Sequence, residues 1–329
     1  MPVVDVPVLL SGYGPVGRAY ADELLTRGAE LARVYGVRPY IAAIRTGRAE
    51  CRGPGAAAPG QWRAAGAFGR TLDDTRPAVF AQAVPSTPRV TGVAADEAEQ
   101  ALRRGAHVVT ATKSHLLTRW SRLHAAARHG AVSIRFSAAT GAALPAGDVA
   151  RHSLLGFECR AIRGCPNGTS TYVLDRMAGG AGLDAAVADA RARGIAEADP
   201  SADLSGTDAA TKVRLLAGLV WGWDVSAVRV RTTAIDAETA GRARDAAVAG
   251  ARLRAVAVAC ADRPGEVAVD HVATTPGDPQ HAINGPDKAV VFDCADAGEI
   301  TISGGRSSPR GAALAMLKDT LSATLPGVR

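Results

Sequence analysis

The chain opens with an apolar run, Val6 to Leu10, in VPVLLSGYGPVGRAYADELLTRG. Glycines at 12, 14 and 17 follow, and then apolar residues recur at helical spacing. This order predicts a strand, a glycine turn and a helix. In PYIAAIRTGRAE a second buried strand is predicted from Tyr40 to Ile44, ending at Arg45. Two more apolar runs, PAVFAQAV (77–84) and HVVTAT (107–112), flank the helical ADEAEQALRRG, which makes a βαβ crossover. The segments TYVLDRM and TDAATKVRLLAGLV carry the helical period again. From ARLRAVAVACADRPGEVAVDHVATTPGDP to AVVFDCADAGEITISG, short alternating runs are broken by Pro, Gly and Asp, as in an antiparallel or mixed sheet.

Composition narrows the class. With 329 residues, 47% of them hydrophobic and 21% charged, the chain is long enough for a full core and for two domains. It holds no apolar run long enough for a membrane span, which takes about 18 residues or more. The opening MPVVDVPVLLSGYG reads as a strand and not as a secretory signal. Cys51, Cys159, Cys165, Cys260 and Cys294 are scattered, with no CxxC pair, so they read as free thiols in a reducing cytoplasm rather than a disulfide frame or a metal site. The net charge of +6 does not mark a nucleic-acid binder, because the basic residues are dispersed and only 4% of residues are aromatic. Lysine occurs only at 113, 212, 288 and 318, against a large excess of arginine. Positions that remain lysine in such a chain are candidates for chemistry a guanidinium cannot perform, since it does not release its proton near neutral pH.

The glycine turn has the context of a dinucleotide fingerprint. Gly12 permits the tight turn, Gly14 lets the backbone approach a pyrophosphate, and Gly17 lets helix and strand pack closely; Pro15 and Val16 complete the loop. An NAD-selective second strand ends in a carboxylate, which accepts from the ribose hydroxyls. Here Arg45, Thr46 and Arg48 present cations and a hydroxyl, which favours the 2′-phosphate of NADP over NAD. Ser86, after the third strand, joins the expected cofactor set. Lys113 ends HVVTATK at the carboxyl edge of the sheet, where open α/β folds bind ligands. Farther on, GIAEADPSADLSGTDAATK gathers Glu197, Asp199, Asp203 and Asp208 ahead of Lys212. Asp208 and Lys212 share a helix face; as a plain i,i+4 pair they would contribute only about 0.3–0.5 kcal/mol.

Taken together, GYGPVG, HVVTATK, PNGTSTYVL and GIAEADPSADLSGTDAATK resemble, in that order, the motifs of the homoserine dehydrogenases. The last is the most specific, keeping the family spacing of carboxylates and lysine. The resemblance is diffuse but runs nearly end to end, including LKDTLSATL near the C-terminus, and no segment resembles the regulatory ACT domain of many bacterial members. It implies an α/β fold: a Rossmann-like nucleotide-binding domain of residues 1–135 and 304–329, and an α+β substrate and dimerisation domain, 136–303, with a mixed sheet. The implied reaction is interconversion of L-aspartate 4-semialdehyde and L-homoserine with NADP(H), by a cytoplasmic homodimer. In that reading Lys212 protonates the carbonyl oxygen as hydride arrives, Asp208 orients it, and Lys113 sits beside the nicotinamide and assists. Glu197 and Asp203 bind the substrate ammonium, and Asn167, Gly168 and Thr169 contact substrate.

The chain departs from the family at three places. Thr112 replaces an asparagine before Lys113. Ser137 stands where a glutamate helps hold a monovalent cation, so no metal is expected. The loop GGRSSPRG replaces GPGAG and puts Arg306, with Ser307 and Ser308, near the substrate. An added cation there suits a second acidic group, so the alternative function is a divergent reductase of a modified amino-acid semialdehyde or ketone. A nucleotide-binding sensor without turnover is the third reading; retention of Lys113, Asp208 and Lys212 together argues against it.

Overall fold

The structure, a computed structural model, describes residues 3–53, 61–305 and 307–325, so Arg306 lies outside the described residues. Contacts divide the chain into two compact units, Met1–Ala142 with Ser308–Arg329, and Ala143–Ser307.

The first unit begins with β1 (Val4–Ser11) and α1 (Pro15–Tyr35), followed by β2 (Val37–Arg45), β3 (Ala49–Arg52), β4 (Arg63–Ala64) and α2 (Phe68–Thr75). Then come β5 (Val79–Gln82), α3 (Pro88–Arg103), β6 (His107–Thr110), α4 (Ser114–His129), β7 (Ile134–Arg135) and α5 (Ser137–Thr140). The strands lie in the order β4-β3-β2-β1-β5-β6-β7. β1 pairs in parallel with β2 and β5, and β5 with β6, so each connection between them is a crossover. α1 ends at Gly36, whose φ of 70° allows its N–H to close the last turn on the Ala32 carbonyl. The helix buries Tyr20, Leu24 and Leu31 against Val6, Val8 and Leu10 of β1. Each such side chain contributes roughly 1.5–3 kcal/mol by leaving water.

The β2–β3 turn is tighter than the sequence pattern suggests. Thr46 and Ala49 close it, and β3 runs antiparallel to β2 with Arg45 opposite Glu50.

In the second unit the chain forms α6 (Ala146–Asp148), a π turn over 149–153, β8 (Cys159–Cys165), α7 (Gly168–Ala178), α8 (Leu183–Ala192), α9 (Ser201–Leu204) and α10 (Thr207–Trp221). It continues through β9 (Arg229–Thr232), α11 (Thr239–Val248), β10 (Arg252–Cys260), β11 (Glu266–Thr274), α12 (Pro279–Ala282), β12 (Ala289–Cys294) and β13 (Gly298–Ser303). The sheet order is β13-β12-β8-β10-β11-β9. All its pairs are antiparallel except β11 with β9, so the sheet is mixed. Val173, Leu174 and Met177 of α7, Val213 and Leu216 of α10 and Ala243 of α11 cover one face.

The last helix, α13 (Pro309–Thr324), returns to the first unit. Ser308 caps it by accepting from Gly311 N. Ala313, Met316 and Leu317 join the core of β1 and α1, where Tyr20 Oη and Thr320 Oγ1 share a 2.6 Å hydrogen bond.

Candidate active site

At the glycine turn, sterics assign each glycine a separate task. Gly12 has φ +97°, and a Cβ there would lie 2.4 Å from the Ala83 carbonyl oxygen. A Cβ on Gly17 would lie 2.0 Å from the Gly12 carbonyl oxygen, so helix and strand touch through backbone. A Cβ on Gly14 would meet nothing within 4 Å. Gly14 is the N-cap of α1, with Pro15 in the first turn, no side-chain cap and no acidic residue. Among the described residues, the helix thus presents uncapped N–H groups and its positive dipole end to open space, the setting in which helix N-termini receive phosphates. The motif residues therefore fit a dinucleotide.

Arg45 requires a correction. It was expected to reach a 2′-phosphate, but it is 6% exposed. Its Nη1 donates to Glu50 Oε2 and to Thr71 Oγ1, both at 2.6 Å, and its Nη2 donates to the Gly66 carbonyl at 2.8 Å. Its guanidinium also stacks on Phe68. Glu50 is itself buried, which pushes its pKa up; the Thr71 hydrogen bond and the arginines 52, 63 and 45 outweigh that and hold the carboxyl below its ordinary range. A guanidinium held this way is structural. Thr46 is likewise turned inward, accepting from Ala49 N and donating to the Ala49 carbonyl. Arg48 is exposed, and its guanidinium has no ion-pair partner among the described residues.

Beyond the carboxyl ends of β5 and β6 in the same sheet, Ser86 Oγ accepts from the Lys113 backbone N–H at 2.8 Å, and Lys113 is the N-cap of α4. Thr112, the departure next to it, is 1% exposed and clamps the ends of β5 and β6: its hydroxyl donates to the Val84 carbonyl at 2.7 Å and accepts from Val84 N at 3.1 Å. Ser137 donates from both N and Oγ to the buried Asp319 carboxylate, and Lys318 Nζ donates to Ser137 Oγ at 2.8 Å. The serine therefore belongs to a buried cluster with α13.

In the second unit the acidic segment and the NGT turn meet. Asn167 uses both ends of its amide. Its Oδ1 caps α7 by accepting from Ser170 N at 2.9 Å, while Nδ2 donates to Asp203 Oδ1 at 2.5 Å and Asp208 Oδ2 at 2.7 Å. Lys212 Nζ lies 2.6 Å from Asp208 Oδ2 and donates to the Pro166 carbonyl at 2.8 Å. Both members of the pair are nearly buried, with side chains 12% and 11% exposed. An ammonium has three protons, so among the described residues one N–H of Lys212 is left beyond Asp208 and Pro166. Burial and then the neighbouring Asp208 raise the pKa of Asp203, against the pull of Asn167, Thr169 and Lys212.

The remaining expected residues differ in kind. Thr169 Oγ1 donates to the Ile195 carbonyl, tying α7 to the acidic loop. Gly168 is required by packing, since a Cβ there would lie 2.3 Å from the Pro286 carbonyl oxygen. Glu197 is exposed on the loop before α9, and Asp199 turns back to accept from Ser201 N. One group escaped the sequence reading. Lys288 is 0% exposed, and burial, followed by the charge of Lys212 and opposed by Asp208, brings its amine down to about 8. The only sequence signal for it was its standing as one of the few lysines.

A largely parallel sheet whose first helix has an open N-terminus, joined in one chain to a mixed-sheet unit carrying a lysine–carboxylate network, defines a two-unit α/β protein with a Rossmann-like first unit. The chain belongs to the homoserine dehydrogenase family, whose model matches residues 145–321, more than half its length. An NAD(+)-dependent homoserine dehydrogenase of Pseudomonas canavaninivorans is 31% identical over 223 residues, 67% of this chain and 63% of that one. A homoserine dehydrogenase of Mycobacterium tuberculosis is 34% identical over 218 residues, 62% of this chain and 48% of that one. The matched part thus spans about half to just under two-thirds of those relatives. A homoserine dehydrogenase structure from Thiobacillus denitrificans aligns with a TM-score of 0.85 at 25% identity, covering 98% of this chain and 74% of that one. A hyperthermophilic archaeal homoserine dehydrogenase in complex with NADPH shares the fold at 24% identity, with a TM-score of 0.81 over 99% of this chain and 100% of that one. No helix among the described residues is long and apolar enough to cross a membrane.

Proposed function

We propose that the chain is an NADP(H)-dependent oxidoreductase that interconverts L-aspartate 4-semialdehyde and L-homoserine. The observation that carries this reading is the network in which Asn167 and Lys212 together hold Asp203 and Asp208 in one place. The nicotinamide cofactor supplies or takes the hydride. The chain's own residues bind the substrate and move the proton. Asp208 and the Pro166 carbonyl hold two of the Lys212 N–H groups, leaving the third for the substrate oxygen, to which Lys212 gives the proton on reduction. Asp203 and Glu197 accept the substrate ammonium, and Lys113 assists the proton transfer.

For the cofactor, Gly12, Gly14 and Gly17 with the Pro15–Val16 turn cradle the pyrophosphate. Selection of NADP falls to Arg48, because Arg45 is occupied by Glu50 and the Thr46 hydroxyl by Ala49. Relatives differ on this point, one being named NAD(+)-dependent and one structure holding NADPH. The same reading makes the protein a cytoplasmic homodimer. The test follows nicotinamide absorbance with homoserine plus NADP⁺ or NAD⁺, and with aspartate semialdehyde plus NADPH or NADH. Turnover in both directions with a preference for the phosphorylated cofactor is expected. Tight cofactor binding without turnover of either substrate would overturn the assignment, and equal use of NAD(H) would overturn the cofactor part alone.

A further inference from the structure

Two cationic side chains, Arg254 and Lys288, are among the largest fully buried ones. Arg254 is explained by the fold: it pairs with Asp175 at 2.7 Å and donates to the carbonyls of Gln280 and Ile283. Lys288 has a different setting. It directly precedes β12, whose first residue, Ala289, pairs with Cys165 at the end of β8. From there the chain leaves β8 into Pro166, whose carbonyl accepts from Lys212, and into Asn167, which binds Asp203 and Asp208. Two residues before Lys288, the Pro286 carbonyl presses on Gly168 at the start of α7. The Lys288 backbone accepts from Gly304 N at 2.9 Å, and its Nζ donates to Ser307 Oγ at 3.3 Å. The amine is thus built into the wall that carries Asn167 and lies in the field of Lys212 and Asp208.

We propose that Lys288 binds the carboxylate of the amino-acid substrate. This rests on the reading that the second unit receives an amino acid. Such a substrate brings an ammonium, a carboxylate and the reacting oxygen, and each needs a partner when it leaves water. Asp203 and Glu197 answer to the ammonium. Lys212 has one N–H left beyond Asp208 and Pro166, and it is committed to the reacting oxygen. Lys288 is the other amine at this place, and the charge it carries matches the remaining group. Packing alone does not account for it. A methionine would fill a similar volume without burying an amine near a second amine, an arrangement that disfavours the charged form. Arrival of a carboxylate reverses the balance, so binding favours the protonated amine.

The proposal is tested by calorimetry with L-2-aminobutyrate, an amino acid lacking the reacting oxygen, and with its carboxamide. Wild type, Lys288→Met and Lys288→Gln are compared, and homoserine turnover by wild type is recorded alongside. Wild type is expected to bind the acid roughly 10- to 100-fold more tightly than the amide, the range for a charge-assisted hydrogen bond. That preference should vanish in both variants. In wild type it should also fade as pH rises through about 8, where the amine flanked by Lys212 and Asp208 loses its proton. If either variant, with a wild-type cooperative unfolding transition, keeps the preference, Lys288 does not bind the carboxylate. Turnover of homoserine with that result leaves the proposed activity standing and removes Lys288. A Lys288-dependent preference without turnover keeps Lys288 and removes the proposed activity.

Discussion

Replacing Lys212 with methionine keeps the length of the side chain and removes its three donors. Two of those donors have visible partners, the Asp208 carboxylate at 2.6 Å and the Pro166 carbonyl at 2.8 Å. Removing one member of a well-buried pair typically costs 3–5 kcal/mol, about the ceiling for this change. Asp208 keeps the Asn167 amide at 2.7 Å, so it is not left bare, and about 1–3 kcal/mol is the better expectation. For a unit of this size that lowers the melting temperature by roughly 2–12 °C. Loss of the third donor acts on the reaction. A positioned general acid contributes about 10²–10⁴-fold, so kcat should fall by that factor while KM changes far less, as when an interaction made in the transition state is lost. The assay is steady-state kinetics in both directions at a temperature well below the variant's transition, with melting followed separately. A variant that melts lower but keeps wild-type kcat would show that the pair is only structural and that another group moves the proton.

Other perturbations separate roles that the fold assigns to neighbouring residues. Arg45→Met removes a buried partner of Glu50, which still has Arg52, Arg63 and Thr71, so stability should fall by about 2–3 kcal/mol while the NADPH/NADH affinity ratio stays put; a ratio shifted tenfold would return Arg45 to the phosphate site. Gly12→Ala should abolish or strongly lower cooperative folding of the first unit, because the new Cβ meets the Ala83 carbonyl at a positive φ. Gly14→Ala should melt like wild type and weaken the dinucleotide, since its Cβ meets only the open space beside the helix N-terminus; identical effects of the two glycine variants on melting would contradict the division of labour. Asp203 has its folded pKa raised by burial and then by Asp208, so its charged form is disfavoured on folding: stability from this group increases as pH falls through that raised value, and ammonium binding weakens over the same range. A pH profile of KM for homoserine should therefore carry an acid limb above the ordinary aspartate range, and Asp203→Asn should erase the limb and raise the melting temperature near neutral pH.

What could be read from the sequence follows from how local the physical cause is. The glycine turn was legible because its demands are short-range: a positive φ at Gly12 and a helix lying on backbone at Gly17 exclude other residues. The Asp208–Lys212 pair was legible because helical spacing alone brings the two together. Asn167 was read as a turn residue with substrate contacts, but its bonds to Asp203 and Asp208 cross 36 and 41 positions and follow no local pattern. Arg45 failed for a related reason. A cation at the end of a second strand looks the same whether it faces a ligand or a carboxylate, and the deciding fact was the register of β3, which sets Glu50 opposite it.

Lys288 shows the same logic from the other side. Nothing next to it in GPDKAVV marks chemistry; only the pairing of Ala289 with Cys165 carries it to the exit of β8 beside the Lys212 acceptor. A residue type kept against the drift of composition is then a usable guide where spacing is silent. Of the four lysines, two carry the proton-transfer reading, one, Lys288, is buried in the second unit in the field of Lys212, and Lys318 holds Ser137 and Asp319 in the core of the first unit. An amine is retained at the last position for a physical reason as well. A compact ammonium reaches the serine hydroxyl and the carboxylate oxygen together at 2.8 and 2.5 Å, a geometry that the planar fork of a guanidinium does not reproduce.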